Sequence, residues 1–133
     1  MNKIQFQFKH GLIFIPVTLT HQSQSIILQN CIFDTGAAGT TFDADLMAGI
    51  GLVPSPTSKI RRLATIGGYE HVFTNRVDEL IIGEVVLSKV EVEIGDLTSK
   101  FNIQGIIGTD FIRLFNWELD FKMNYLKFRM IKP

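Results

Sequence analysis

The chain has 133 residues and 46% hydrophobic content, including 11 Phe, enough for one packed domain over residues 1–133 and too little for two ordinary ones. Lys+Arg and Asp+Glu each number 13, giving zero formal net charge, which excludes the basic footprint of a nucleic-acid binder. The lone cysteine, Cys31, excludes an internal disulfide scaffold, and no apolar run approaches a membrane span, so no membrane partner and a reducing, cytoplasmic setting are expected.

Ile4, Phe6 and Phe8 alternate with Lys3, Gln5, Gln7 and Lys9, the period of a half-buried strand rather than the unbroken apolar stretch of a secretion signal. His10-Gly11 supplies a turn. Residues 12–20 return as a second strand, in which Pro16 marks an edge or a bulge. Residues 25–33 form a third strand, with Cys31 reading as a buried small hydrophobe. The segment 43–48 has the acidic first turn of a short helix, ended by Gly49 and Gly51. Residues 53–58, with two prolines, are a loop.

Residues 61–66 and 71–75 flank Gly67-Gly68 as a hairpin. Two further strands, 77–82 and 84–94, turn at Gly83. Residues 103–107 are nearly all apolar, the pattern of a strand buried on both faces. Gly108-Thr109-Asp110 then leads into a short amphipathic helix over 111–115, which Thr109 or Asp110 can cap. A closing hairpin, 117–121 with 125–131, crosses Lys122-Met123-Asn124. Lys122, Lys127, Arg129 and Lys132 read as a solvated strand face, and Trp117 and Phe121 as core. Many short strands with one or two short helices predict an all-β fold, a small barrel or sandwich. His10, His21 and His71 have no metal-ligand spacing and read as surface or loop residues.

The chemistry concentrates in Cys31-Ile32-Phe33-Asp34-Thr35-Gly36-Ala37, where an apolar strand delivers one aspartate into a Thr-Gly turn. Asp-Thr-Gly alone is often only a turn. Here it ends a strand, a small residue follows it, and the chain later supplies a Gly-Gly hairpin and an apolar-apolar-Gly strand. Ile106-Ile107-Gly108-Thr109, also before a short helix, echoes the first motif without the aspartate. Asp-Thr-Gly occurs once, so chemistry needing two such carboxylates needs two copies of the chain.

This ordered set resembles the retropepsin-like family of aspartic proteases, nearer to cellular and bacterial members than to viral ones. Phe33-Asp34-Thr35-Gly36-Ala37 is similar to the catalytic motif, Ile66-Gly67-Gly68-Tyr69 to the flap tip, and Ile106-Ile107-Gly108 to the apolar-apolar-Gly element beneath the site. The resemblance implies a closed acid-protease barrel with a β-hairpin flap. It implies a homodimer in which two Asp34 carboxylates, one per subunit, activate a water to hydrolyse a peptide or protein substrate, without metal or cofactor. Asp34, Thr35 and Gly36 would then be catalytic, and Ala37, Ile66, Gly67, Gly68 and Tyr69 would contact substrate.

The residues themselves leave alternatives open. The Thr35 hydroxyl could brace the partner's backbone or bond its own strand, Gly36 could serve substrate or only a turn, and Tyr69 could be a flap contact or a strand aromatic. Viral members often carry two acids after the catalytic alanine and an Arg after the apolar-apolar-Gly element. Ala38-Gly39-Thr40 and Thr109 stand in those places, so both partners of that ion pair are absent together. Residues 125–131 could interleave with a partner, as viral termini do, or pair within the subunit. Two other functions compete with the endopeptidase: a non-catalytic dimeric peptide-binding module, and an assembly domain in which Asp34 only satisfies turn amides.

Overall fold

The computed structural model describes residues 2–65, 68–97 and 102–131. The alternation that begins the chain does not make one strand. It breaks at Phe6 into β1 (Asn2–Gln5) and β2 (Gln7–Lys9), which join different sheets. β2 pairs antiparallel with β3 (Leu12–His21), and β3 with β4 (Gln24–Phe33). The register of the second pair shifts between Ile15 and Val17. Pro16 lies at that shift, where its missing amide breaks no ladder bond.

After Asp34 the chain forms β5 (Thr41–Asp43) and α1 (Ala44–Ala48). Asp43 is the last strand residue and the helix N-cap, its carboxylate accepting from the Leu46 amide. β6 (Ile60–Thr65) and β7 (Gly68–Ile82) follow. Residues 71–75 and 77–82, expected as separate strands, are parts of this one 15-residue strand. β8 (Val85–Gly95) and β9 (Gly105–Ile107) complete the main sheet. Gly105 and Ile107 are buried and Ile106 half-buried.

The order β2-β3-β4-β9-β5-β8-β7-β6 closes on itself because β3 also pairs with β7, Thr18 facing Ile81 and Leu19 facing Leu80. Six strands, β3-β4-β9-β5-β8-β7, thus form a closed barrel, the fold that the strand pattern and the family resemblance predicted. Its interior holds Val17, Leu19, Leu28, Cys31, Phe42, Leu80, Val92, Ile94 and Ile107, all buried. Gly105 has no room for a side chain: a Cβ there would meet the Phe42 ring at 2.7 Å and Cys31 Sγ at 2.9 Å.

α2 spans Thr109–Ile112, two residues earlier than the 111–115 expected. Its N-cap is Gly108 with no side-chain cap bond, so neither Thr109 nor Asp110 caps it. Asp110 is committed elsewhere, as described below. β10 (Phe115–Asp120) and β11 (Tyr125–Met130) form the closing hairpin, and β1 pairs with the other edge of β11. The last strand therefore pairs within the subunit.

Aromatic contacts bind this three-stranded sheet to the barrel. Trp117 stacks on Phe128 with centroids 4.5 Å apart, meets Phe33 at 4.8 Å, and donates Nε1–H to the Ile112 carbonyl at 2.7 Å. Such ring pairs contribute ~0.5–1.5 kcal/mol each beyond area burial. Two side-chain expectations need correction. Phe121 is exposed at the turn after β10, edge-on to Phe6 and Phe8. His21 is not a surface residue; it ends β3 buried, with Nδ1 3.6 Å from Asp78.

Candidate active site

β4 runs parallel to β9, with Ile32 opposite Ile106 and Phe33 opposite Ile107. The ladder continues one step past the strand end, where the Asp34 amide donates to the Ile107 carbonyl at 3.0 Å. Asp34 is thereby held at the mouth of the barrel, half-buried. Its Oδ1 accepts the Gly36 amide at 2.8 Å, and its carbonyl accepts the Ala37 amide at 3.2 Å. A Cβ at Gly36 would sit 3.2 Å from that same Oδ1, so glycine brings the amide close without crowding the carboxylate. Thr35 and Gly36 are exposed and Ala37 is half-buried.

The rest of the loop is bonded to the start of α2. The Ala37 carbonyl accepts both the amide and the hydroxyl of Thr109, at 2.8 and 3.2 Å, and the Ala38 carbonyl accepts the Asp110 amide at 3.3 Å. The buried Thr40 hydroxyl donates to Asp110 Oδ1 at 2.7 Å and accepts the Gly108 amide at 3.1 Å. The Thr40 amide donates to Asp110 Oδ2 at 3.1 Å. Gly108 is required by packing rather than by its torsion: a Cβ there would lie 2.6 Å from the Gly39 oxygen and 2.8 Å from the Ala37 oxygen. The two echoed turns, 34–37 and 107–109, thus pack directly against each other.

Beside this loop a cavity of about 170 Å³ is lined by Gly39, Arg61, Glu91, Glu93 and Asp110, among others. Glu93 is buried and accepts from Arg61 Nη1 at 3.2 Å. Burial pushes its carboxyl up from the ordinary range; Arg61 opposes that, and Asp110 and Glu91 add to it.

Asp34, Thr35, Gly36 and Ala37 form one turn, joined to the Ile106-Ile107-Gly108 element as the motifs implied. In the hairpin, Gly68 pairs with Thr65 and Tyr69 with Ala64; Ile66 and Gly67 lie outside the described residues. Sequence reasoning missed Thr40, Glu93 and Arg61 as parts of this region and gave Asp110 no role beyond that of an alternative to Thr109 as helix cap. Thr40 and Asp110 are 70 residues apart, and only their closeness to the two glycine motifs hinted at them.

A half-buried carboxylate bonded to the Gly36 amide at the mouth of a closed barrel fits the acid-protease class of folds. The comparisons agree with that class. The sequence profile of the aspartyl protease family matches residues 17–111, most of the chain, from β3 through the first turn of α2. A retropepsin-like aspartic protease from Rickettsia conorii superposes with a TM-score of 0.66 at 16% identity, over 95% of this chain and 98% of that one. No curated protein sequence matches the chain. The chain belongs to the aspartyl protease family, has the retropepsin-like fold, and is a peptidase. No helix among the described residues is long and apolar enough to cross a membrane.

Proposed function

We propose that this protein is an aspartic endopeptidase in which two Asp34 carboxylates, one from each subunit of a homodimer, activate the hydrolytic water. The reading takes residues 1–133 as one domain. Its strongest support is the state of Asp34: half-buried, at a strand end, with Oδ1 on the Gly36 amide and its loop fastened to the β9–α2 turn.

Two carboxylates at short range cannot easily both ionise, so the pair shares a proton. The ionised member takes a proton from water as general base. The protonated member polarises the scissile carbonyl and then donates to the leaving amine. Gly36 fixes the carboxylate, the Thr35 hydroxyl braces the partner's backbone across the dimer axis, and Ala37 lines the floor for substrate. The β6–β7 hairpin is the flap, with Ile66, Gly67, Gly68 and Tyr69 over the bound peptide. The single buried thiol of Cys31 needs no oxidising compartment, which supports a cytoplasmic setting.

The test is digestion of an unbiased peptide library by wild type and Asp34→Asn, with sedimentation of both. Wild type is expected to cleave, and Asp34→Asn to remain folded and dimeric without cleaving. Unchanged hydrolysis in Asp34→Asn would refute the mechanism. A wild-type dimer that retains peptides but never cleaves them would favour the binding module instead.

A further inference from the structure

The β6–β7 hairpin changes character at one row. Ile60, Phe73 and Ile94 make a row of three strands. The next pair, Arg61 with Val72, has no ladder partner on β8. Among the described residues, the arm formed by 61–65 and 68–72 is laddered only to itself. A two-stranded ribbon has little stability of its own, so the row at Phe73 is a natural hinge.

The Arg61 side chain reaches back across that hinge. Arg61, the first residue of the two-stranded arm, extends over β7 and donates to Glu93 Oε1 on β8 at 3.2 Å. Glu93 belongs to the fixed wall: it faces Thr74 on β7 and Thr41 on β5, and its amide donates to the Thr40 carbonyl at 2.9 Å. Its carboxyl also fills the space beside Gly39, where a Cβ would fall 3.0 Å from Glu93 Cδ. Gly39 is part of the loop that carries Asp34. The Glu93 carboxyl therefore touches the hairpin arm through Arg61 and the Asp34 loop through Gly39.

We propose that the Arg61–Glu93 ion pair is a latch that holds the hairpin arm against the barrel wall beside the Asp34 loop, and that proton uptake by Glu93 opens it. The latch regulates the site described above and rests on reading the hairpin as its cover. A guanidinium carries its charge throughout the pH range in which proteins fold, so Glu93 is the switching member. The charged groups acting on Glu93 are Arg61 from β6, Asp110 from α2 and Glu91 from β8 itself; its neighbours on β7 and β5, Thr74 and Thr41, do not titrate. Burial and the two acids favour the neutral carboxyl, against Arg61 alone. Release therefore falls above the ordinary carboxylate range, in mild acid.

Backbone hydrogen exchange, corrected for intrinsic rates, tests this on the whole protein without substrate. Amides of 61–65 and 68–72 are expected to exchange slowly at neutral pH and roughly three- to tenfold faster in mild acid, the range expected for one charge-assisted contact. Amides of 77–82 in the barrel half of β7 serve as reference and stay unchanged. Glu93→Gln is expected to show the fast arm exchange at every pH. Arg61→Gln, altered at a side chain that is 56% exposed, gives the same result even if position 93 tolerates no change. Wild-type protection of the arm at neutral pH in Arg61→Gln would overturn the latch. So would an arm in wild type whose protection ignores pH. The readout involves no hydrolysis, so retained cleavage in Asp34→Asn would sink the protease mechanism and leave the latch result standing.

Discussion

Replacing Thr40 with Val removes one hydroxyl and keeps the volume. Thr40 is 2% exposed, so water cannot take the place of what is lost. The hydroxyl accepts the Gly108 amide at 3.1 Å and donates to Asp110 Oδ1 at 2.7 Å. Leaving the buried amide without this partner costs ~1–3 kcal/mol. Losing a hydrogen bond to a carboxylate costs ~1.5–3 kcal/mol, but Asp110 keeps the amides of Thr40 and Phe111, so the lower end applies. The expected destabilisation is about 2.5–4.5 kcal/mol. Urea unfolding read by the fluorescence of Trp117, the single tryptophan, measures it directly. Thr40→Ser is the control, because it keeps the hydroxyl and loses only a methyl, at about 1 kcal/mol. If Thr40→Val unfolds at the same urea concentration as Thr40→Ser, the hydroxyl bridge is not what fastens the Asp34 loop to α2.

Gly108→Ala drives a methyl against backbone atoms of Gly39 and Ala37 at 2.6–2.8 Å; a loss of roughly 1–3 kcal/mol or more is expected, read as a lowered melting temperature together with reduced hydrolysis. Glu93 binds its proton more tightly folded than unfolded, so the fold gains stability as pH falls through the raised folded value towards the ordinary one. Glu93→Gln should therefore flatten the slope of urea stability between neutral and mildly acidic pH, and an unchanged slope would assign it to another group. Mixing wild type with an equal amount of Asp34→Asn and allowing subunits to exchange should leave about a quarter of all dimers wild type on both sides, hence about a quarter of the activity of an all-wild-type sample at the same total concentration. Activity that stays at about half, as for independent monomers, would refute a site shared between subunits.

The strand periods and the glycine positions were legible because they report local physics. Apolar residues 31–33 ending at Asp34 required a strand end there, and β4 ends at Phe33. The helix boundaries were less legible: at α2, Asp110 looks like a cap by spacing, yet it reaches 70 residues back to Thr40. The break at Phe6 was hidden because Ile4 and Phe6 are both buried in the expected alternation; past it the ladder partner changes, from Leu126 for Ile4 to Ile13 for Phe8, and Phe8, expected on the buried face, is exposed. Barrel closure through Thr18 and Ile81 leaves no mark on period or composition. The Arg61–Glu93 contact is of the same kind, two ordinary strand charges whose meeting depends on how the sheet curls.

The echo between the two halves explains why one chain holds one carboxylate. β4 and β9 run parallel and deliver two equivalent turns to the same place, Asp34-Thr35-Gly36 and Gly108-Thr109-Asp110. Only the first exposes an acid to the mouth of the barrel. In the second, the acid is two residues further on, and both of its oxygens are spent on Thr40. The second turn has become the brace of the first: its glycine admits the Ala37 and Gly39 carbonyls, and its threonine and aspartate fasten the loop. Among the described residues, the second turn therefore presents no carboxylate beside Asp34. The terminal sheet bears on where a partner would join. β11 lies between β1 and β10 with both edges filled, so a second copy cannot interleave with the last strand without first displacing one of them. Among the described residues, the outer edges of β1 and β10 carry no ladder, and β10 is the one whose Trp117 supports Phe33, the residue before Asp34.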